Sequence, residues 1–136
     1  MTVSYCVRRY KSDFLRHLNA AVDVSDDNEA LKANVSQMLA DTIMEEAATH
    51  KLWYDIRHQT LFDDRFREVV NEIEAQIISA IDRILKQLQP SPAMPASYGY
   101  AVLDGVFQHA LHGRIKGDLS CSEDITALFR GILDRL

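Results

Sequence analysis

Phe66–Leu88, FREVVNEIEAQIISAIDRILKQL, is the stretch that decides the fold class. Phe66, Val69, Val70, Ile73, Ile77, Ile81, Ile84, Leu85 and Leu88 recur at steps of three, four and one. That is the helical repeat, and it lays down an apolar stripe about 35 Å long at the rise of an α-helix. Ile78 widens the stripe, which predicts neighbours on more than one side. Strict alternation, the mark of a half-buried strand, occurs in no window of the chain. The helix stops at Pro90, and Pro90 through Pro95 (Pro-Ser-Pro-Ala-Met-Pro) reads as a linker between helices.

Working outward, the same periodicity predicts five further helices. The first runs from about Ser12, an N-cap candidate, through Phe14, Leu15, Leu18 and Val22. Ser25-Asp26-Asp27-Asn28 breaks the chain and caps the second, which sets Leu31, Val35, Met38, Leu39, Thr42 and Ile43 on one side. A short third helix carries Leu52, Trp53, Ile56 and Thr60, and the Phe66 helix is the fourth. The fifth begins near Pro95, carries Tyr98, Val102, Leu103, Val106, Phe107, Ala110 and Leu111, and stops at Gly113. Ser120 and Glu123 stand at capping-box spacing before the sixth, with Ile125, Leu128, Phe129, Ile132, Leu133 and Leu136 on one stripe. The expectation is one all-α domain of about six helices over residues 1–136.

Composition agrees with such a domain and narrows its function. The 136 residues are 47% hydrophobic and 26% charged, with a net charge of −5. A chain of that size buries about two thirds of its unfolded surface, and its negative charge argues against general nucleic-acid binding. Cys6 and Cys121 form no CxxC pair and suit a reducing compartment. No apolar leader precedes a cleavage site and no apolar run is long enough for a bilayer, so a cytoplasmic location without membrane contact is expected.

Three stretches carry a resemblance. Leu52–Val70, LWYDIRHQTLFDDRFREVV, joins a Trp-bearing helix to a long one through Asp63 and Asp64, read as an Asp-Asp cap, and Phe66-Arg67. Val102–Phe107, VLDGVF, is a Leu-Asp-Gly-hydrophobic run on a later helix. Residues 4–15, SYCVRRYKSDFL, bring two aromatics, a lysine and a hydrophobic pair to the start of the first helix. Together they resemble the regulatory half of TetR-type transcription regulators. In that family an acid-Pro-x-Leu-Arg junction occupies the place where this chain has Asp64 for Pro and Phe66 for Leu. The resemblance implies an effector-binding and dimerisation domain that catalyses nothing. It also implies that residues 1–11 are a remnant of a DNA-binding domain, whose helix-turn-helix is otherwise missing from the chain. Dimerisation there uses the last two long helices, which make a four-helix bundle with their two-fold copies. The interface residues expected on that basis are Leu103, Val106, Ala110, Ile125, Leu128, Phe129, Ile132 and Leu136. Interior Gly99 and Gly105 admit either tolerated irregularity or close approach of another helix.

Other chemistries find little support. His109 and His112 stand three apart, but no further ligand falls in register with both, and no Glu has a His three residues on. Neither a metal nor another cofactor is therefore expected. Glu45-Glu46 and Asp63-Asp64 fit solvated or helix-start positions, and Gly113–Gly117 lacks the context of a phosphate loop. No enzyme is expected. Arg8, Arg9, Lys11 and Arg16 are either a solvated basic patch or a face towards a DNA backbone, with Lys11 and Ser12 near a phosphate. In the second case the contacts would position without specifying, so the chain alone is not expected to bind DNA selectively.

Aromatic residues from three segments give the remaining candidate. A cavity lined by Trp53, Arg57, Phe66, Tyr98 and Phe107 is expected beside the long helix, with Arg57 as a cationic wall. The reading is thus a small-molecule-sensing homodimerisation domain of a TetR-type regulator. Its alternative is a stand-alone helical interaction module without a ligand.

Overall fold

The computed structural model describes residues 3–89, 91, 94–119 and 121–136. Among them are five helices and no strand: α1 (Val3–Asp23), α2 (Asn28–Gln59), α3 (Arg67–Leu88), α4 (Ala96–Lys116) and α5 (Ser122–Leu133). The all-α expectation holds, but with five helices rather than six. The second and third expected helices are one, α2, whose ladder runs on through a single non-helical residue, Glu46 (φ −127°, ψ 26°). Between Ile43 and Trp53 lie Met, Glu, Ala, Thr, His, Lys and Leu, with no Gly or Pro to end a helix. The apparent boundary in the sequence is a kink.

Asp27 starts α2 as expected, its Oδ1 accepting from the Ala30 N–H at 2.8 Å. Helix α2 then packs against all four other helices, and α5 lies on α2 and α4. This central position explains why Ser36 and Ala40 are buried along with Leu31, Val35, Leu39 and Ile43. Ser36 Oγ is enclosed there without a hydrogen-bond partner.

Helix α1 starts nine residues before the expected Ser12, because Val7, Lys11, Phe14, Leu18 and Val22 already repeat at three and four. Ser12 is exposed in mid-helix and caps nothing. Val7 is buried in the common core, so residues 3–11 belong to the first helix of the bundle. Asp63 and Asp64 do not cap α3 through their side chains either. The Asp63 carboxylate accepts from Arg65 N–H and Nε, while Phe66 holds the N-cap position without a side-chain bond.

Helix α4 passes the expected stop at Gly113 and ends at Gly117, whose left-handed φ of 88° suits a glycine. The Gly117 N–H donates to the Arg114 carbonyl, and the Asp118 and Leu119 N–H groups donate to that of Gly113. Leu119 thereby folds onto Gly113, where an added Cβ would stand 2.7 Å from its Cδ1. Gly99 meets a similar approach, 2.8 Å from Leu85 Cδ1, so α3 and α4 pack closely there. Gly105 has nothing within 4 Å of an added Cβ. The linker residues Pro90, Pro92 and Ala93, and Ser120 of the expected capping box, lie outside the described residues.

Candidate functional site

Four helices converge beside Trp53. From α1 come Lys11, Phe14 and Leu18; from α2 come Val35, Leu39, His50, Trp53 and Tyr54. Ile77, Ile81 and Ile84 of α3, with Tyr100, Leu103, Asp104 and Phe107 of α4, close the remaining sides. They surround a cavity of about 50 Å³, room for a few water-sized groups. Its wall is aliphatic and aromatic except for five side chains, Lys11, His50, Tyr54, Tyr100 and Asp104.

Those five are not equally free. Asp104 is saturated: Oδ1 accepts from the Tyr54 hydroxyl at 2.8 Å, and Oδ2 from Gln108 Nε2 at 2.9 Å. Arg57 also reaches Asp104 Oδ2 at 3.0 Å, donates to the Tyr100 hydroxyl at 2.9 Å and lies 4.8 Å from the Tyr54 ring centroid. Burial opposes the Arg57 charge, but the hydrogen bond to Asp104 and its negative charge together hold the guanidinium above its ordinary value. Burial, followed by Asp104, pushes both Tyr54 and Tyr100 up. His50 is 2% exposed, packs 4.3 Å from Phe107 ring to ring, and shares a 2.7 Å hydrogen bond between Nδ1 and the Tyr10 hydroxyl. Burial lowers its pKa to about 2, with Lys11 and then Arg57 acting in the same direction, so the ring is neutral.

Lys11 stands apart. It is 1% exposed, yet its ammonium makes no salt bridge or hydrogen bond among the described residues. Nζ lies between two aromatic faces, 4.2 Å from the Phe14 centroid and 4.8 Å from that of Trp53. Burial lowers its pKa to about 7; Asp104 and, less strongly, Glu74 oppose the shift, while Arg57 adds to it.

Of the five residues expected from the sequence to bind a ligand, Trp53 and Phe107 line the cavity. Arg57 stands behind the wall, its charge matched by Asp104, and is no open cationic surface. Phe66 is half-buried at the start of α3 and outside the lining, and Tyr98 is 65% exposed. Lys11 cannot face a DNA backbone, because it is buried. The remaining basic residues are exposed, with Arg8 bonded to Glu72 and Arg16 to Asp13. Lys11 was legible in one respect: it falls in the apolar register between Val7 and Phe14, where a charged residue is out of place. His50 is similarly in step with Ile43 and Trp53 along α2.

The expected interface residues divide. Leu103, Ala110, Ile125 and Phe129 are buried within the chain itself. Burying both final helices against the earlier ones occupies these side chains, α5 lying on α2 as well as on α4. Val106, Leu128 and Ile132 are half-buried and line an open groove between α4 and α5, together with Gly105 and Gly131. Leu136 is half-buried at the chain end.

Among the described residues no three His, Cys, Asp or Glu side chains converge as a metal would need, and no helix is long and apolar enough to cross a membrane. Cys6 and Cys121 are exposed and unpaired. Comparison of the chain with protein-family models, curated proteins and solved structures finds no match.

Proposed function

We propose that this chain is a small-molecule-sensing and dimerisation domain, and that it acts as the regulatory part of a TetR-type transcription regulator. The observation that carries the sensing part is the mostly apolar cavity with an ammonium in its wall that has no salt bridge or hydrogen bond among the described residues. Ligand sites are commonly apolar hollows with a few well-placed polar groups. A cavity of about 50 Å³ is smaller than the usual several hundred Å³ of such sites, so any but the smallest ligand must displace the wall. The α1 wall, Lys11, Phe14 and Leu18, packs on α2 and α3 and meets α4 through the edge contact of Phe14 with Phe107. A ligand that pushes on it would bias how α1 is held. In a regulator whose reading heads precede α1, that bias would alter their spacing and hence operator binding. DNA contact would belong to a helix-turn-helix segment outside these 136 residues.

Dimerisation through α4 and α5 draws support from the open groove, with half-buried Val106, Leu128 and Ile132 around Gly105 and Gly131. A second copy would place α4 and α5 of each chain side by side as a four-helix bundle. Light scattering at micromolar concentration should give twice the chain mass. For the sensing role, a thermal-shift screen of metabolites should identify compounds that raise the melting temperature and alter Trp53 emission. A dimer for which no compound does either would favour a ligand-free interaction module, for which the same groove is the supporting observation.

A further inference from the structure

The polar atoms of the cavity say which ligand chemistry it accepts. Asp104, its only carboxylate, already accepts from Tyr54, Arg57 and Gln108. Tyr54 spends its proton on Asp104, and His50 Nδ1 is engaged with Tyr10. Three donors remain uncommitted among the described residues, the Lys11 ammonium, the Trp53 indole N–H and the hydroxyl proton of Tyr100, whose oxygen accepts from Arg57. Lys11 is the only one of these that carries a charge, so the unused capacity favours an acceptor. A neutral acceptor would leave the Lys11 charge uncompensated among Phe14, Trp53 and the aliphatic wall, whereas an anion cancels it. One uncompensated cation matches one negative charge. A dianion such as a phosphate ester would carry a surplus charge into an apolar space already facing Asp104.

Resting on the sensing role proposed above, we infer that the ligand of this cavity is a small monocarboxylate with an apolar body, its carboxylate paired with Lys11. The body would lie against Leu39, Ile81, Leu103 and Phe107, which all face the same hollow. Pairing restores the proton that burial draws from Lys11, so binding takes up protons and weakens as pH rises above about 7. The groups facing Lys11 are His50, Tyr54 and Arg57 on α2, Glu74 on α3, and Tyr100 and Asp104 on α4. Burial and its neighbours move His50, Tyr54, Arg57 and Tyr100 away from neutral pH, which leaves Lys11 to set the linkage.

The test is titration of the full chain with butyrate, butyramide and n-butylamine, followed by Trp53 fluorescence and amide NMR shifts. Butyrate should bind saturably, about tenfold more weakly at pH 8 than at pH 6, and n-butylamine should not bind. Lys11→Met should lose butyrate at least about tenfold while keeping any affinity for butyramide. Equal butyrate binding by wild type and Lys11→Met, pH-independent binding, or a preference for n-butylamine would each overturn the inference. So would the absence of saturable butyrate binding. In that last case, a neutral metabolite that raises the melting temperature would leave the sensing role intact. Should Lys11→Met not fold, the wild-type pH profile decides alone.

Discussion

Lys11→Met is expected to stabilise the protein near neutral pH, although it removes the side chain at the centre of the candidate site. In the unfolded chain Lys11 keeps its proton up to 10.5; in the fold it does so only up to about 7. A gap of that size corresponds to about 5 kcal/mol of disfavoured charge at 1.36 kcal/mol per pKa unit. The faces of Phe14 and Trp53 return part of it, about 0.5–2 kcal/mol each for a cation over a ring. Methionine has a similar reach and carries no charge, so the net gain at pH 7 should be about 2–4 kcal/mol, or about 10 °C in melting temperature. The gain should shrink to about 1 kcal/mol by pH 10, where the unfolded lysine is itself losing its proton.

The sign of the wild-type profile follows from the same gap. Between about 7 and 10.5 the unfolded chain binds more protons at Lys11 than the native one, so stability rises with pH across that window. His50 acts at the other end. Its native pKa of about 2 lies below the unfolded 6.5, so stability falls as pH drops below 6.5. Tyr10, Tyr54 and Tyr100 are all raised from 10.0, so their contribution is lost as pH climbs above 10. Maximum stability should accordingly fall on the alkaline side of neutrality, near pH 9. Urea unfolding of wild type and variant from pH 5 to 10 measures this directly. A wild-type midpoint that is flat or falling between pH 7 and 9, or a Lys11→Met protein less stable at pH 7, would refute the placement of this ammonium.

Asp104→Asn should cost about 2–3 kcal/mol, because it leaves the half-buried Arg57 without its counter-charge and weakens the Tyr54 bond; a midpoint within experimental error of wild type would contradict the network. Ser36→Ala should be neutral to stabilising by about 1 kcal/mol, since the enclosed hydroxyl has no partner to lose, and urea midpoints will show the sign. Gly113→Ala should leave the melting temperature near that of wild type, because the new methyl must displace the Leu119 side chain, 2.7 Å away at Cδ1, and this offsets the about 1 kcal/mol that a helix gains from alanine. Phe129→Glu should unfold the chain rather than merely separate two copies, since Phe129 is 0% exposed within one chain. In the dimer proposed above, Ile132→Glu in the open groove should leave circular dichroism near native and halve the mass seen by light scattering.

The helices were legible where one periodicity governs one buried face. The stripe from Val69 to Leu88 forms α3 within a residue of its expected start, and Asp27 caps α2 where a break was expected. Legibility failed where a helix is surrounded. Helix α2 presents apolar residues to four neighbours, so its stripe wanders and a kink at Glu46 reads as a boundary. The cavity was half legible for a related reason. Trp53 and Phe107 are large and apolar, and bulk alone suggests burial. Tyr98 and Phe66 share that bulk, but register decides exposure, and Tyr98 sits one residue away from Gly99, the position that touches α3. Arg57 shows the limit of counting charges along one helix: its neutralising partner, Asp104, comes from 47 residues on, in α4. That pairing moves the free positive charge of the site from Arg57 to Lys11. In the sequence Lys11 reads as part of a basic cluster with Arg8, Arg9 and Arg16, yet its step of four from Val7 and of three to Phe14 puts it on the buried face. A lysine held there without a counter-charge works against folding. The acidic ligand proposed for the cavity would supply the missing charge, and would stabilise the native chain most where Lys11 is half-titrated or fully charged, at and below pH 7.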